Sequence, residues 1–408
     1  MTNNAKTRED GRPHDTRAAP SRQPAEELLI LCSRTRLSAL EVARIKALLY
    51  RRIDWDRLIK LSCDHMISQL VYWHLSRVLP EEVPAAVLET LQGIFHSVLQ
   101  RNLVLGGELQ KLAKLFDVNG ITMVPYKGPI LAQQVYGNLA LRPFIDIDLL
   151  IRKEDFTRVK KLLLAEGYES LYHRSTAEEE FRLLSDCEYH VVNPSNCVVV
   201  EIHWGVWEES VFPTQAVTDV LQRSQRSSFL GVNVLTLSPE DSLVFGCMHL
   251  AKHWWSELRL ICDVAELIRA HPQTDWTKVV EIADELHCKR LLYLGISLAH
   301  DLLGASLPEG ALTPIAGDAR VIQVALDVEE TLFEEHERRP TLVETYDVMR
   351  LQDRFRHKIH TGLWFILMPR DKDYEWLPLP RHLIKLYYVL RPLRLSIHYG
   401  RAFVRSML

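Results

Sequence analysis

The stretch Pro143-Phe144-Ile145-Asp146-Ile147-Asp148-Leu149-Leu150-Ile151 decides the fold of this chain. Branched and aliphatic residues in a short apolar run, opened by a proline, spell a buried β-strand. Asp146 and Asp148 interrupt the run two residues apart. Side chains alternate faces along a strand, so both carboxylates leave on the same side. Neighbouring carboxylates on an apolar strand repel each other and lose hydration, which demands a compensating cation. Hard divalent ions with oxygen ligands answer that demand, Mg²⁺ first and Mn²⁺ as the alternative. The implied chemistry is phosphoryl or nucleotidyl transfer.

Outward from this strand the texture stays mixed. Ile121–Pro125 reads as a strand, Pro129–Val135 as a helix, and Glu154–Glu166 as an amphipathic helix ended by Gly167. The runs Glu188–Val192 and Val198–His203 are joined by Asn193-Pro194-Ser195-Asn196, a turn signal that predicts a hairpin. Val232–Leu235 adds a further strand. Within the hairpin, Glu201 alternates with Val199 and His203, so a third carboxylate emerges from a buried strand. Two metals bridged by carboxylates about 3.5–4 Å apart orient a triphosphate for in-line displacement. Asp146, Asp148 and Glu201 supply the acids such a site needs, with Glu188 as a lower-ranked rival to Glu201.

Tyr126-Lys127-Gly128 follows the first strand and opens the next helix. Glycine permits close backbone approach, a helix N-terminus favours an anion, and Lys127 adds charge to the same phosphate. Arg142, four residues before Asp146, has the planar fork that clamps phosphate bidentately. Lys127 and Arg142 also read as structural ion-pair partners of the acids. His203, beside Glu201, lines the cleft or supports a ligand. His249 and His253 share a helix face, but no second motif completes a zinc site. Asp263, Arg259 and Trp254 read as packing and ion-pair residues.

The remainder of the chain is helical in pattern. Residues 1–24 form a polar tail expected to be disordered, and 25–119 an N-terminal helical region. Residues 120–237 hold the α+β core and 238–408 a C-terminal helical region. Gly106-Gly107 is a candidate punctuation in the first helical region, and Ser238-Pro239-Glu240-Asp241 a helix start. Charged residues make up 25% and hydrophobic ones 47% of the 408, as in ordinary globular proteins. The net charge of −4 gives no bulk attraction to nucleic acid or anionic membranes. A basic amphipathic tail with Arg391, Arg394, Arg401 and Arg405 reads first as a packing element, and second as a surface for tRNA or an anionic layer. Seven dispersed cysteines, no signal peptide and no apolar run near the ~20 residues of a membrane span predict a cytoplasmic protein.

The pattern Tyr126-Lys127-Gly128, Tyr136-Gly137, Leu141-Arg142-Pro143 and Asp146-Ile147-Asp148-Leu149-Leu150 resembles the uncharacterised nucleotidyltransferase family of bacteria, within the DNA polymerase beta-like superfamily. Ile53-Asp54-Trp55, Glu201-Ile202-His203-Trp204, and His249 through Asp263 extend the resemblance, as does Arg391-Pro392-Leu393 near the end. It implies a small mixed sheet flanked by helices, with Asp146, Asp148 and Glu201 holding Mg²⁺ and a nucleoside triphosphate such as ATP. The superfamily usually has Gly-Ser where Lys127-Gly128 stands, and a shorter spacing to the first acid.

The expected activity is Mg²⁺-dependent transfer of a nucleoside monophosphate to an acceptor, with release of pyrophosphate. The acceptor class stays open among small molecule, peptide, protein and tRNA, because the fold does not choose it. Two further readings stand beside it: a non-catalytic nucleotide- or partner-binding module on the same fold, and a tRNA-modifying, toxin-like nucleotidyltransferase. Transfer of the terminal phosphate is a weaker kinase-like option.

Overall fold

The computed structural model describes residues 22–172, 186–205, 215–334, 349–352, 355–369, 371–377 and 379–407. The expected disorder of the first residues lies outside that set up to position 21. Five strands form one mixed sheet: β1 (Met123–Pro125), β2 (Asp146–Ile151), β3 (Glu169–Ser170), β4 (Glu188–Asn193) and β5 (Val198–His203). Their order is β1-β2-β5-β4-β3, and only the central β2–β5 pair is parallel. A separate hairpin joins β6 (Gln225–Phe229) to β7 (Val232–Thr236).

Helices α1 (Pro24–Cys32), α2 (Ala39–Leu49), α3 (Trp55–Asp64), α4 (Ser68–Leu75) and α5 (Ala85–Val118) precede the sheet. Helices α6 (Gly128–Gln134), α7 (Phe156–Ala165) and α8 (Gln215–Arg223) are interleaved with its strands or follow them. Then come α9 (Pro239–Lys252), α10 (Leu258–Ala270), α11 (Trp276–Glu285), α12 (Lys289–Leu303), α13 (Glu309–Gly317) and α14 (Ala319–Thr331). The last described helices are α15 (Phe355–Leu367), α16 (Asp371–Trp376) and α17 (Tyr387–Met407). This is the α+β architecture that the alternation of periods predicts.

Two apolar cores hold these elements. One packs Leu109 and Phe116 of α5, and Val159 and Leu163 of α7, against Ile147, Leu149, Val200 and Ile202 of the central strands. The other merges helices from both ends of the chain, with Leu28, Leu70, Val244 and Leu298 in one cluster that also takes in Val124 and Leu150. The central strand is therefore buried on both faces, and its two acids sit where the second face begins.

Several local expectations meet their reasons here. Ser238 caps α9 by accepting from the Asp241 backbone N–H, with Pro239 in the first turn. Gly106-Gly107 does not break α5, which runs continuously from Ala85 to Val118. Gly106 faces the β6–β7 hairpin, where a β-carbon would make ordinary contacts 3.4 Å from Leu230 and 3.6 Å from Phe229. Loop 138–142 is tied to the same helix by Asn102, whose amide donates to the carbonyls of Leu139 (2.6 Å) and Arg142 (2.9 Å).

Candidate active site

Strand register builds the site. In the parallel pair Asp148 lies opposite Glu201, and Asp146 lies opposite Val199. In the antiparallel pair His190 lies opposite Glu201, and Glu188 opposite His203. Because side chains alternate, one sheet face carries Asp146, Asp148, Glu201, His203, Glu188 and His190. The interleaved Ile147, Leu149, Val200, Ile202, Tyr189 and Val191 go to the core.

Asp148 is the hub. Its Oδ1 accepts from the Lys127 ammonium at 2.6 Å and from His203 Nε2 at 3.1 Å. The same His203 nitrogen lies 3.3 Å from Glu201 Oε2, so one imidazole spans two of the predicted acids. Its other ring nitrogen faces Glu188 Oε2 at 3.4 Å. His190 bridges on the outer side, 3.3 Å from Glu188 and 3.8 Å from Glu201, and Lys252 reaches Glu188 at 3.2 Å. The Tyr126 ring packs edge-on against His203 with centroids 5.4 Å apart.

The charges sort themselves accordingly. Burial alone would raise the Asp148 carboxyl, but Lys127 and His203 outweigh it and hold it below the usual range. Burial opposes the charge on His203, yet its bonds to Asp148, Cys187 and Glu201, with Glu188 nearby, hold it well above an ordinary histidine. The same two cations help Asp146 less. Burial first, then the charges of Asp148 and Glu201, push its carboxyl up to about 7 against the weaker pull of Lys127. The site thus carries one compensated acid beside one uncompensated acid, and the second marks where positive charge is missing.

A divalent cation fits this donor set. One ligand atom each from Asp148, Glu201 and His203 lies within 4.8 Å of the others. A second such group is Glu188, His190 and Glu201. Asp146 leaves the same sheet face but belongs to neither group. His249 and His253 meet edge-to-face with centroids 4.7 Å apart, and neither belongs to a metal-capable group among the described residues.

Lys127 and Gly128 sit at the turn from β1 into α6. Gly128 has φ +55°, and a β-carbon there would lie 3.1 Å from the Asp146 carbonyl oxygen. The glycine is therefore required for close approach to the acid-bearing strand itself. Helix α6 has only seven residues, so Lys127 is the main fixed positive charge at this turn.

Arg142 stands apart from the acid pair. Its guanidinium is buried and bonded bidentately by Asp263 of α10, with both contacts at 2.7 Å, and Tyr136 donates to the same carboxylate at 2.6 Å. A grip on phosphate would require its release from Asp263. Between Arg142 and Lys127 lies a cavity of about 20 Å³, lined also by Tyr126, His249 and Asp263, with room for about one water.

Glu188, the lower-ranked rival to Glu201, joins the constellation together with His190, and Lys252 of α9 reaches it from outside the sheet. The signal for His190 is alternation with Glu188 along Glu188–Asn193, readable as part of the site only once β4 is placed beside β5; Lys252, on a helix, has no such signal.

No curated protein and no solved structure matched the chain in comparison searches. A family model described as "uncharacterised nucleotidyltransferase" does match, over residues 51–304. That span exceeds half of the 408 residues and contains every side chain placed in the site above. The chain therefore belongs to this nucleotidyltransferase family, and its mixed sheet flanked by helices is consistent with a nucleotidyltransferase core.

Proposed function

We propose that the protein is a metal-dependent nucleotidyltransferase of the DNA polymerase beta-like kind, moving a nucleoside monophosphate from a nucleoside triphosphate to an acceptor hydroxyl or phosphate. The observation that carries the reading is the register of β2 on β5, which sets Asp148 directly opposite Glu201 with Asp146 on the same face. Asp146, Asp148 and Glu201 would hold Mg²⁺ or Mn²⁺. Once bound, such an ion withdraws charge from the reacting phosphate and the departing pyrophosphate.

The chain's own groups do the rest. Lys127 leaves Asp148 to meet the triphosphate, and Gly128 lets that turn lie against the strand. Glu201 accepts the proton of an acceptor hydroxyl as its oxygen bonds the α-phosphorus. The bond from that phosphorus to the β-phosphate oxygen breaks, and pyrophosphate departs with the electron pair. His203 keeps Asp148 and Glu201 oriented, and Arg142 supports the loop before β2 through Asp263. The acceptor is a small molecule, peptide, protein or tRNA. The fold does not select among them.

The Lys127–Asp148 contact also suits a protein that binds nucleotide without turnover. One experiment separates the two readings. Purified protein is incubated with each nucleoside triphosphate radiolabelled at the α-phosphorus, with Mg²⁺ or Mn²⁺ and a cell extract, beside Asp146→Ala/Asp148→Ala. Label transferred by the wild type alone supports catalysis and identifies the acceptor class. Metal-dependent nucleotide binding with no transfer to any extract favours the binding module. Absence of both sinks the metal-site reading.

A further inference from the structure

The C-terminal helices carry a surface that the nucleotidyltransferase site does not use, beyond the residues matched by the family. Helices α15 and α17 pack against each other. Each still leaves an apolar row in water: Phe355, Ile359 and Leu363 on α15, and Val389, Leu393 and Ile397 on α17. The four-residue steps put each row on a single helix face. The exposure is large, reaching 75% for Phe355 and 70% for Val389. Trp376, at the end of α16 between them, is also exposed. Apolar rows of this kind are not left uncovered without a partner.

Charge identifies the partner. Residues 355–408 contain ten Lys and Arg against three Asp and Glu, in a chain whose net charge is −4. Asp373, itself buried, takes up Arg391 and Arg394 as an internal pin. Arg356, Lys372 and Lys385 remain exposed around the apolar rows. A symmetric pairing of this unit with its own copy would bring two basic segments together, which like charges oppose. Single-stranded nucleic acid supplies phosphates, but its bases stack on aromatic rings, and these rows are mainly aliphatic. An anionic bilayer surface supplies both needs at once: headgroup charge for the lysines and arginines, and an acyl boundary for the rows. No helix among the described residues is long and apolar enough to cross a membrane, so the mode is lying on the surface.

We infer that the α15–α17 unit docks the protein on an anionic lipid surface. The test is flotation of the full-length protein with vesicles of phosphatidylcholine alone, or of equal parts phosphatidylcholine and phosphatidylglycerol. Flotation only with the anionic vesicles, weakened by salt, is the expected result. Lys372→Glu/Lys385→Glu should weaken it at least about tenfold. Leu363→Ser/Val389→Ser/Leu393→Ser should abolish it with circular dichroism unchanged. The proposal is overturned if neither vesicle binds. It is equally overturned if the triple variant loses a dimer in light scattering, or an RNA complex, while vesicle binding is absent throughout.

Discussion

Two buried cation–carboxylate pairs brace the acid-bearing strand, and they are built for opposite purposes. Arg142 meets Asp263 through two parallel bonds, with Tyr136 as a third donor to the same carboxylate. Nothing in that geometry invites exchange, since the planar fork is matched atom for atom. Lys127 meets Asp148 through one contact at 2.6 Å, and its side chain is 16% exposed. A compact ammonium on a flexible stem is a replaceable point charge. The first pair is a scaffold, and the second holds a place that a harder cation can take.

Breaking the scaffold should have the largest effect. Arg142→Met strands a buried Asp263, a loss of about 3–5 kcal/mol in urea denaturation. The double variant Arg142→Met/Asp263→Leu should recover much of it, because neither charge is then left unpaired. A cost below about 1 kcal/mol for the single change would mean the loop is held by Asn102 alone, and the contrast between the pairs would fail.

The turn that delivers Lys127 comes next. Gly128→Ala places a β-carbon 3.1 Å from the Asp146 carbonyl at φ +55°. Strain of about 1–3 kcal/mol is expected, measured as a lower denaturation midpoint. An unchanged midpoint would show that the backbone relaxes freely there, and the tight approach to β2 would lose its significance.

Lys127→Met should cost about 1–2 kcal/mol, less than the loss at Arg142, because His203 still serves Asp148. The sharper readout is linkage. With one cation removed, Mn²⁺ should raise the melting temperature of Lys127→Met more than that of the wild type. If Mn²⁺ moves neither protein, Lys127 is not holding a place for a metal.

How much of this was legible in the sequence depends on whether the signal is local. Period-two alternation reveals both acid-bearing strands, and Asn193-Pro194-Ser195-Asn196 marks the hairpin turn; Ser238 announces its helix. Each of these depends on residues a few positions apart. The pairing of Arg142 with Asp263 spans 121 residues and leaves no trace in either segment. Glu188 and His190 join the site only because β4 lies beside β5, and β5 reaches Asp148 only because it chose β2 as its parallel neighbour. The hairpin could equally have joined the sheet at another edge, so register was not readable from its own residues. Strand β6, Gln-Arg-Ser-Ser-Phe, is too polar to announce itself and forms by pairing with β7. The glycine pair in α5 misleads because the helix carries straight through it; a β-carbon at Gly107 would meet nothing within 4 Å.

The smallest expected effect isolates the acid that neither pair neutralises. Asp146 has a carboxyl raised from 3.8 to about 7. Between those values the folded chain keeps a proton that the unfolded chain has lost, so stability falls as pH rises across the window, and the loss is complete above it. Asp148 works the other way: its depressed carboxyl contributes in full above 3.8, and the contribution drains only as pH falls below that. The two effects therefore occupy separate pH ranges. His203, held above its ordinary value, also loses stability toward alkaline pH; it is one of the charges acting on Asp146, so a comparison of Asp146→Asn with the wild type reads the two groups together. That substitution should flatten the fall between about pH 5 and pH 8 and leave the variant about 1 kcal/mol the more stable at the upper end, allowing for solvent screening. Mn²⁺ should erase the difference, because a cation supplies the charge Asp146 lacks while the amide has no charge to offer it. Parallel pH profiles for the two proteins would show that Asp146 is already ionised at little cost, and the missing positive charge would have to be sought elsewhere on the face.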